Sequence, residues 1–151
     1  MKDDSQDLYN KFAAHHASKP IKIIISNAKR LGNDEAVQIG EARLKQLFED
    51  ERSGKSPVYN DLMKQVEAYE AVLTEAANSK RTARYSRRKI ENVGAVQMLK
   101  DLLAKNPDTA GLNKLRETGN LQAAYEQVVI NNQEYFSPKE IAEAKKRLGL
   151  P

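Results

Sequence analysis

Residues 56–76, SPVYNDLMKQVEAYEAVLTEA, decide the fold. Ser56-Pro57 is a helix start, because proline in the first turn gives up an amide that has no partner there anyway and serine can cap the free ones. Behind it Leu62, Val66, Tyr69, Leu73 and Ala76 recur at steps of four and three, which is one face of a long helix. The stripe is too short to specify a zipper dimer, and packing against helices of the same chain explains it. The reading is therefore all-α: about seven or eight helices in an array or bundle of helical hairpins around this one long central helix.

Upstream, a helix is predicted from Ser5 to Ala17 with Leu8 and Phe12 inward. Ser18 and Pro20 open a second, in which Ile21, Ile24, Ala28 and Leu31 lie at helical spacing until Gly32 closes it. The β-branched run Ile21 to Ile25 also allows a short strand. Asn33 or Asp34 caps a third helix carrying Val37, Gly40, Leu44, Leu47 and Phe48, a tight hairpin with the second, and 50–56 reads as loop. Downstream, Ile90, Val93, Val96, Leu99 and Leu103 keep helical spacing to Asn106-Pro107. Short helices follow over about 108–118, 121–131 and 138–148, the last opened by the capping box Ser137-Pro-Lys-Glu140. A single domain over 1–151 is expected, with two lobes, 1–52 and 57–151, as the variant; no internal repeat supports a solenoid.

At 151 residues the chain can bury a core, yet Leu, Ile, Val and Phe make up only about a fifth of it, so a thin core or an oligomer is expected. There is no cysteine, so thiolate and disulfide chemistry are excluded. The acidic start and the lack of a long apolar run point to a cytoplasmic protein with no membrane partner.

Charge is concentrated in one place. Lys80, Arg81, Arg84, Arg87, Arg88 and Lys89 are six of the 25 basic residues, and none of the 21 acids falls among positions 80–89, so the remainder of the chain is slightly acidic. On a helix all but Lys89 fall within an arc of about 120°, with Tyr85 beside it. Lys80, Arg81 and Arg84 have no acid one turn away, and Glu91 alone is within local reach of Arg87 and Arg88. Four arginines against two lysines favour bidentate recognition of phosphate or carboxylate. Continuing the heptad of the long helix replaces Leu73 by Lys80 and Arg87. Either the helix breaks near Asn78-Ser79, with Ser79 capping a new one, or it projects as a charged rod.

Catalytic motifs do not hold up. Ser53-Gly-Lys-Ser56 has the tail of a phosphate-binding loop, but the glycine it requires falls at Glu49. Pro107-Asp108 with Glu143-Ala-Lys145 spells a nuclease pattern, on segments that read as helix where converging strands are needed. Adjacent His15 and His16 cannot form a metal pair one turn apart, and Glu67/Glu70 and Glu140/Glu143 lack the histidine of a di-iron helix. A helix-turn-helix drawn over 109–131 would have a second helix with no Arg or Lys to meet DNA.

From Thr82 onward the chain resembles a group of small uncharacterised bacterial and mobile-element proteins. The similarity lies in Thr82-Ala-Arg84-Tyr-Ser-Arg87-Arg88-Lys-Ile90 with Val93-Gly94; Gly111-Leu112, Leu115 and Gly119; Ala124-Tyr-Glu-Gln-Val-Val129; and Phe136-Ser-Pro138 with Ile141, Ala144, Arg147 and Leu148. Where that group often has His-Pro, this chain has Asn132-Gln-Glu-Tyr135. The resemblance implies an all-helical fold and a bacterial or phage setting, and no active site. The functional expectation is a non-enzymatic binding protein, with no cofactor and no metal, that meets nucleic acid, DNA or RNA, through Lys80, Arg81, Arg84, Tyr85, Arg87, Arg88 and Lys89. The alternative is an adaptor or inhibitor whose arginines dock an acidic partner protein.

Overall fold

The computed structural model describes residues 4–107 and 109–151, the side chain of Asp4 excepted. The described residues are all-α: α1 (Asp4–Ala13), α2 (Ser18–Arg30), α3 (Asp34–Arg52), α4 (Pro57–Ala77), α5 (Arg84–Val93), α6 (Ala95–Ala104), α7 (Ala110–Glu117), α8 (Glu126–Asn131) and α9 (Pro138–Leu148). Short 3-10 turns stand at Leu121–Ala123 and Gln133–Tyr135. The chain divides into two compact units, 1–56 and 57–151. None of the described helices is long and apolar enough to cross a membrane.

In the first unit α2 and α3 form a hairpin, closed by Gly32 at φ +71° and by Asn33, whose side chain accepts the Ala36 amide (3.2 Å). Its core joins Phe12, Ile21 and Ile25, with Ile24, Val37 and Leu44 packed around them. The strand option for Ile21 to Ile25 is overturned, because burying Ile21, Ile25 and Ala28 together needs helical spacing. Gly40 is there for closeness: a Cβ would stand 2.5 Å from Ile25 Cγ1 and 2.9 Å from Phe12 Cζ.

The first helix stops at Ala13, short of the expected Ala17. Arg43 of α3 holds the end where it stops: its guanidinium takes the His15 carbonyl (2.8 Å) and shares the Phe12 carbonyl (3.2 Å) with the His15 amide (3.0 Å), an i to i+3 bond that closes the last turn. Ala17 is extended (φ −103°, ψ 139°), and Ser18 is the buried first residue of α2, not its cap. Leu31, expected inward, is 72% exposed. α3 runs to Arg52, into the segment read as loop.

In the second unit Val58, Leu62 and Val66 of α4 are buried, Leu73 is half-buried and Ala76 is exposed. The stripe thus fades towards its C-terminal end. α6 is the most enclosed helix, with Val96, Met98, Leu99 and Leu103 buried, and Gly94 at φ +85° separates it from α5. A second apolar cluster joins Leu112 and Leu115 of α7 to Ala123, Ala124 and Leu148. The helix expected over 121–131 is interrupted because Gln65 of α4 donates to the carbonyls of Gln122 (3.0 Å) and Ala124 (3.1 Å). Ala124 is accordingly extended. At α9 the capping box is complete: Glu140 N–H donates to Ser137 Oγ (3.1 Å), and Glu140 Oε1 accepts from Ser137 N–H (2.8 Å) and Lys100 (2.8 Å).

Candidate functional site

The long helix breaks after Ala77, where Asn78 takes φ +52°, and the next helix starts only at Arg84. Lys80 and Arg81 therefore lie on a non-helical crossing, and the helical arc expected from 80 to 88 does not exist. Ser79 is not the new cap. The residue in that position is Ala83, whose methyl group cannot accept a hydrogen bond, and a neighbouring helix supplies the acceptor instead. Glu70 of α4 accepts the Ala83 amide at 2.8 Å and both arms of Arg87, Nε at 2.8 Å and Nη2 at 2.6 Å. Its carboxylate thus serves as the acidic cap of α5. Thr74 holds the crossing by accepting the Arg81 amide at 3.0 Å.

Electrostatics follow from this geometry. The Arg87 hydrogen bond keeps the Glu70 carboxyl below the ordinary glutamate range, the Ala83 amide helps, and Lys80 adds a smaller pull. Arg87 is raised by the same bond. Lys89 is also engaged, donating to Asp101 at 2.8 Å, and that bond raises its pKa. Asp101 in turn accepts from Gln97 at 2.8 Å.

Two of the six cations are thereby tied into the fold by acids that local sequence could not reveal. The other four are not. Lys80, Arg81, Arg84 and Arg88 are exposed and form no ion pair with any described residue, and Arg84 and Arg88 are one turn apart on α5.

Tyr85 projects beside them, 67% exposed. Lys105, just beyond α6, donates to its hydroxyl at 3.1 Å, and its ammonium, 5.3 Å from the ring centroid, sits at the hydroxyl end of the ring and not over its face. The hydrogen bond to Lys105 lowers the phenol's pKa. Tyr85 and Lys105 stand on the rim of a largely apolar cleft of about 250 Å³. Met98, Leu102, Tyr69 and Tyr125 contribute to its lining. The Tyr69 and Tyr125 rings meet edge to face at 5.6 Å, and Tyr125 donates to Ser86 Oγ at 2.8 Å. Burial raises both phenols. A Cβ at Gly111 would come within 2.7 Å of Tyr69 Oη, so a larger residue there would have to push the hydroxyl end of Tyr69 aside.

Sequence reasoning missed Arg147, the residue that organises this end of the unit. Its side chain is 1% exposed. It donates to the carbonyls of Leu102 (3.1 Å), Leu103 (3.1 Å) and Lys105 (2.7 Å), sealing the C-terminus of α6, and pairs with Glu143 (3.0 Å) and buried Glu126 (3.4 Å). One signal was available, the i, i+4 spacing of Glu143 and Arg147. Glu126 had none. Arg147 thereby anchors the backbone of Lys105, the residue whose ammonium meets Tyr85.

The remaining motifs are used structurally. Glu143 is engaged by Arg147, and Asp108, its partner in the nuclease pattern, lies outside the described residues. The drawn helix-turn-helix has a 3-10 turn and extended Ala124 where its recognition helix would begin. Ser53 and Gly54 simply end α3. His16 is lowered by burial, then by Arg43 and His15, which favours its neutral form beside the guanidinium. Among the described residues no group of three or more His, Cys, Asp or Glu is placed to hold a metal ion. No protein-family model, curated protein or solved structure matches the chain.

Proposed function

We propose that this chain is a non-enzymatic helical binding protein that holds the phosphate backbone of a nucleic acid on Lys80, Arg81, Arg84 and Arg88. The observation that carries this reading is the division of one basic segment into two sets. Arg87 and Lys89 are consumed by Glu70 and Asp101, while four neighbours stay exposed without an ion pair among the described residues. Cations needed only to satisfy the fold would have partners. Three of the four are arginines, whose planar fork matches phosphate oxygens two at a time.

Four neutralised phosphates give a log–log salt slope of about −3.5 on duplex DNA and about −3 on single strands. Fluorescence anisotropy of a labelled 12-mer at two salt concentrations measures it. Arg84→Ala/Arg88→Ala should weaken binding and reduce the slope by about 2 on duplex. Binding that ignores both salt and the double variant overturns the reading. A complex with an acidic protein that survives nuclease treatment and disappears in the same variant would assign the surface to the adaptor alternative.

A further inference from the structure

We infer that the cleft behind Tyr85 receives an unstacked base, so that the nucleic acid held by this protein is single-stranded. The inference rests on the phosphate reading above and adds a second, chemically different contact to it. Tyr85 joins the two: it stands on α5 between Arg84 and Arg88 in sequence, and it lines the cleft. On a helix Arg88 is about 60° and Arg84 about 100° to one side of Tyr85, whereas Ser86, the other α5 residue at the cleft, is about 100° to the opposite side. The tyrosine therefore stands between the two arginines that form no described ion pair and the cleft, and the cation on its cleft side, Lys89 at about 40°, is already neutralised by Asp101. A strand with its phosphates on the arginines has its bases within reach of the ring.

The cleft suits one ring system and little more. Its volume of about 250 Å³ falls just below the range of pockets that enclose drug-sized molecules. Its apolar walls include Met98 and Leu102; Ser86, Thr109 and Glu126 add polar side chains to the lining, and the Tyr85 hydroxyl and Lys105 ammonium are the pair offered to a base edge or its phosphate. Paired bases in a duplex offer no ring face to such an opening, whereas single strands stack their bases on exposed aromatic side chains next to cationic tracks. An exposed tyrosine held by a lysine, rather than left to rotate, is pre-set for that contact. Ordering it on binding costs less.

The test compares three 12-mers with equal phosphate content per strand: oligo-dT, an abasic strand, and a mixed-sequence duplex. The expected result is oligo-dT binding about tenfold more tightly than the abasic strand. Tyr85→Ala should erase that preference, and Tyr85→Phe, which keeps the ring and loses the Lys105 hydrogen bond, should retain most of it. Folding is checked by circular dichroism, which an exposed side chain should leave unchanged. Equal affinity for oligo-dT and abasic strand, both weakened by Arg84→Ala/Arg88→Ala, overturns the base site and leaves the phosphate reading standing. A base preference unmoved by Tyr85→Ala also overturns it, by placing the bases elsewhere. Absence of binding to all three removes both readings.

Discussion

Arg147 and Arg88 are the same side chain put to opposite uses, and the contrast between their surroundings is the main lesson of this fold. Arg147 is buried with three backbone carbonyls and two carboxylates around it. Arg88 stands exposed on α5 with no described ion-pair partner. Sequence made the second conspicuous, because it sits in a cationic cluster, and marked the first only by its i, i+4 spacing from Glu143. Prominence in a charge count does not measure structural work; what matters is which acids and carbonyls the fold brings to the guanidinium. Arg87 lies between these extremes, clamped by Glu70 while its own side chain stays 42% exposed.

The comparison breaks most sharply at Arg147. Arg147→Met leaves buried Glu126 without its cation and removes the side-chain donors from the Leu102, Leu103 and Lys105 carbonyls. Losing one partner of a buried pair costs about 3–5 kcal/mol. Urea denaturation should show that loss in the second unit, and Arg147→Lys should recover little, since a single ammonium cannot reach five acceptors in a plane. Arg147→Met combined with Glu126→Met should be less damaging than Arg147→Met alone, because no orphaned charge remains. Arg43 is the milder case of the same device, with two carbonyls at the end of α1 and a half-buried position. Arg43→Ala should cost about 1–2 kcal/mol, read from the first unit's share of the melt.

Arg87 and Glu70 sharpen the comparison through pH. The Glu70 pKa lies below its ordinary value because Arg87 and the Ala83 amide bind the charged form. The folded state therefore gives up the Glu70 charge only at a pH below that at which the unfolded chain does. Its contribution is fully present above the normal glutamate range near pH 4.3 and is lost as pH falls through the lowered folded value. Melting temperatures taken from pH 6 down to pH 3 should fall less steeply for Glu70→Gln than for the wild type. Equal slopes would show that the clamp contributes nothing to stability.

The helical class was readable because its signals are local. Pro57, Gly32, Asn33 and the Ser137/Glu140 box each act within one turn, and the four-residue spacing of Leu62 and Val66 needs no partner to be seen. Three of the errors share the opposite cause. α1 ends where Arg43, far along the chain, binds the Phe12 and His15 carbonyls; 121–131 is split where Gln65 binds those of Gln122 and Ala124; α5 begins late because Glu70, thirteen positions before Ala83, caps it. The candidate site was half visible. The cations could be counted, but Glu70 and Asp101, which remove two of them, and Lys105, which fixes Tyr85, arrive from other helices. A side chain reaching across from another element leaves no period in the sequence.

The smallest expected effect on stability is the most informative about function. Arg84→Ala/Arg88→Ala removes two charges that hold nothing in the described structure, so the change in unfolding free energy should stay within about 0.5 kcal/mol per substitution. Relief of repulsion among Lys80, Arg81, Arg84 and Arg88 even favours a slight gain, largest at low ionic strength and fading as salt screens it. Arg87→Ala, three positions from one and adjacent to the other, should lose about 1 kcal/mol by the same urea measurement, because it frees Glu70 and unseats the start of α5. Neighbouring arginines would then separate into one that stabilises and two that do not. If instead the double variant melts with a loss comparable to that of Arg87→Ala, Arg84 and Arg88 belong to the fold as Arg147 does, and the exposed cationic surface has no claim to a ligand.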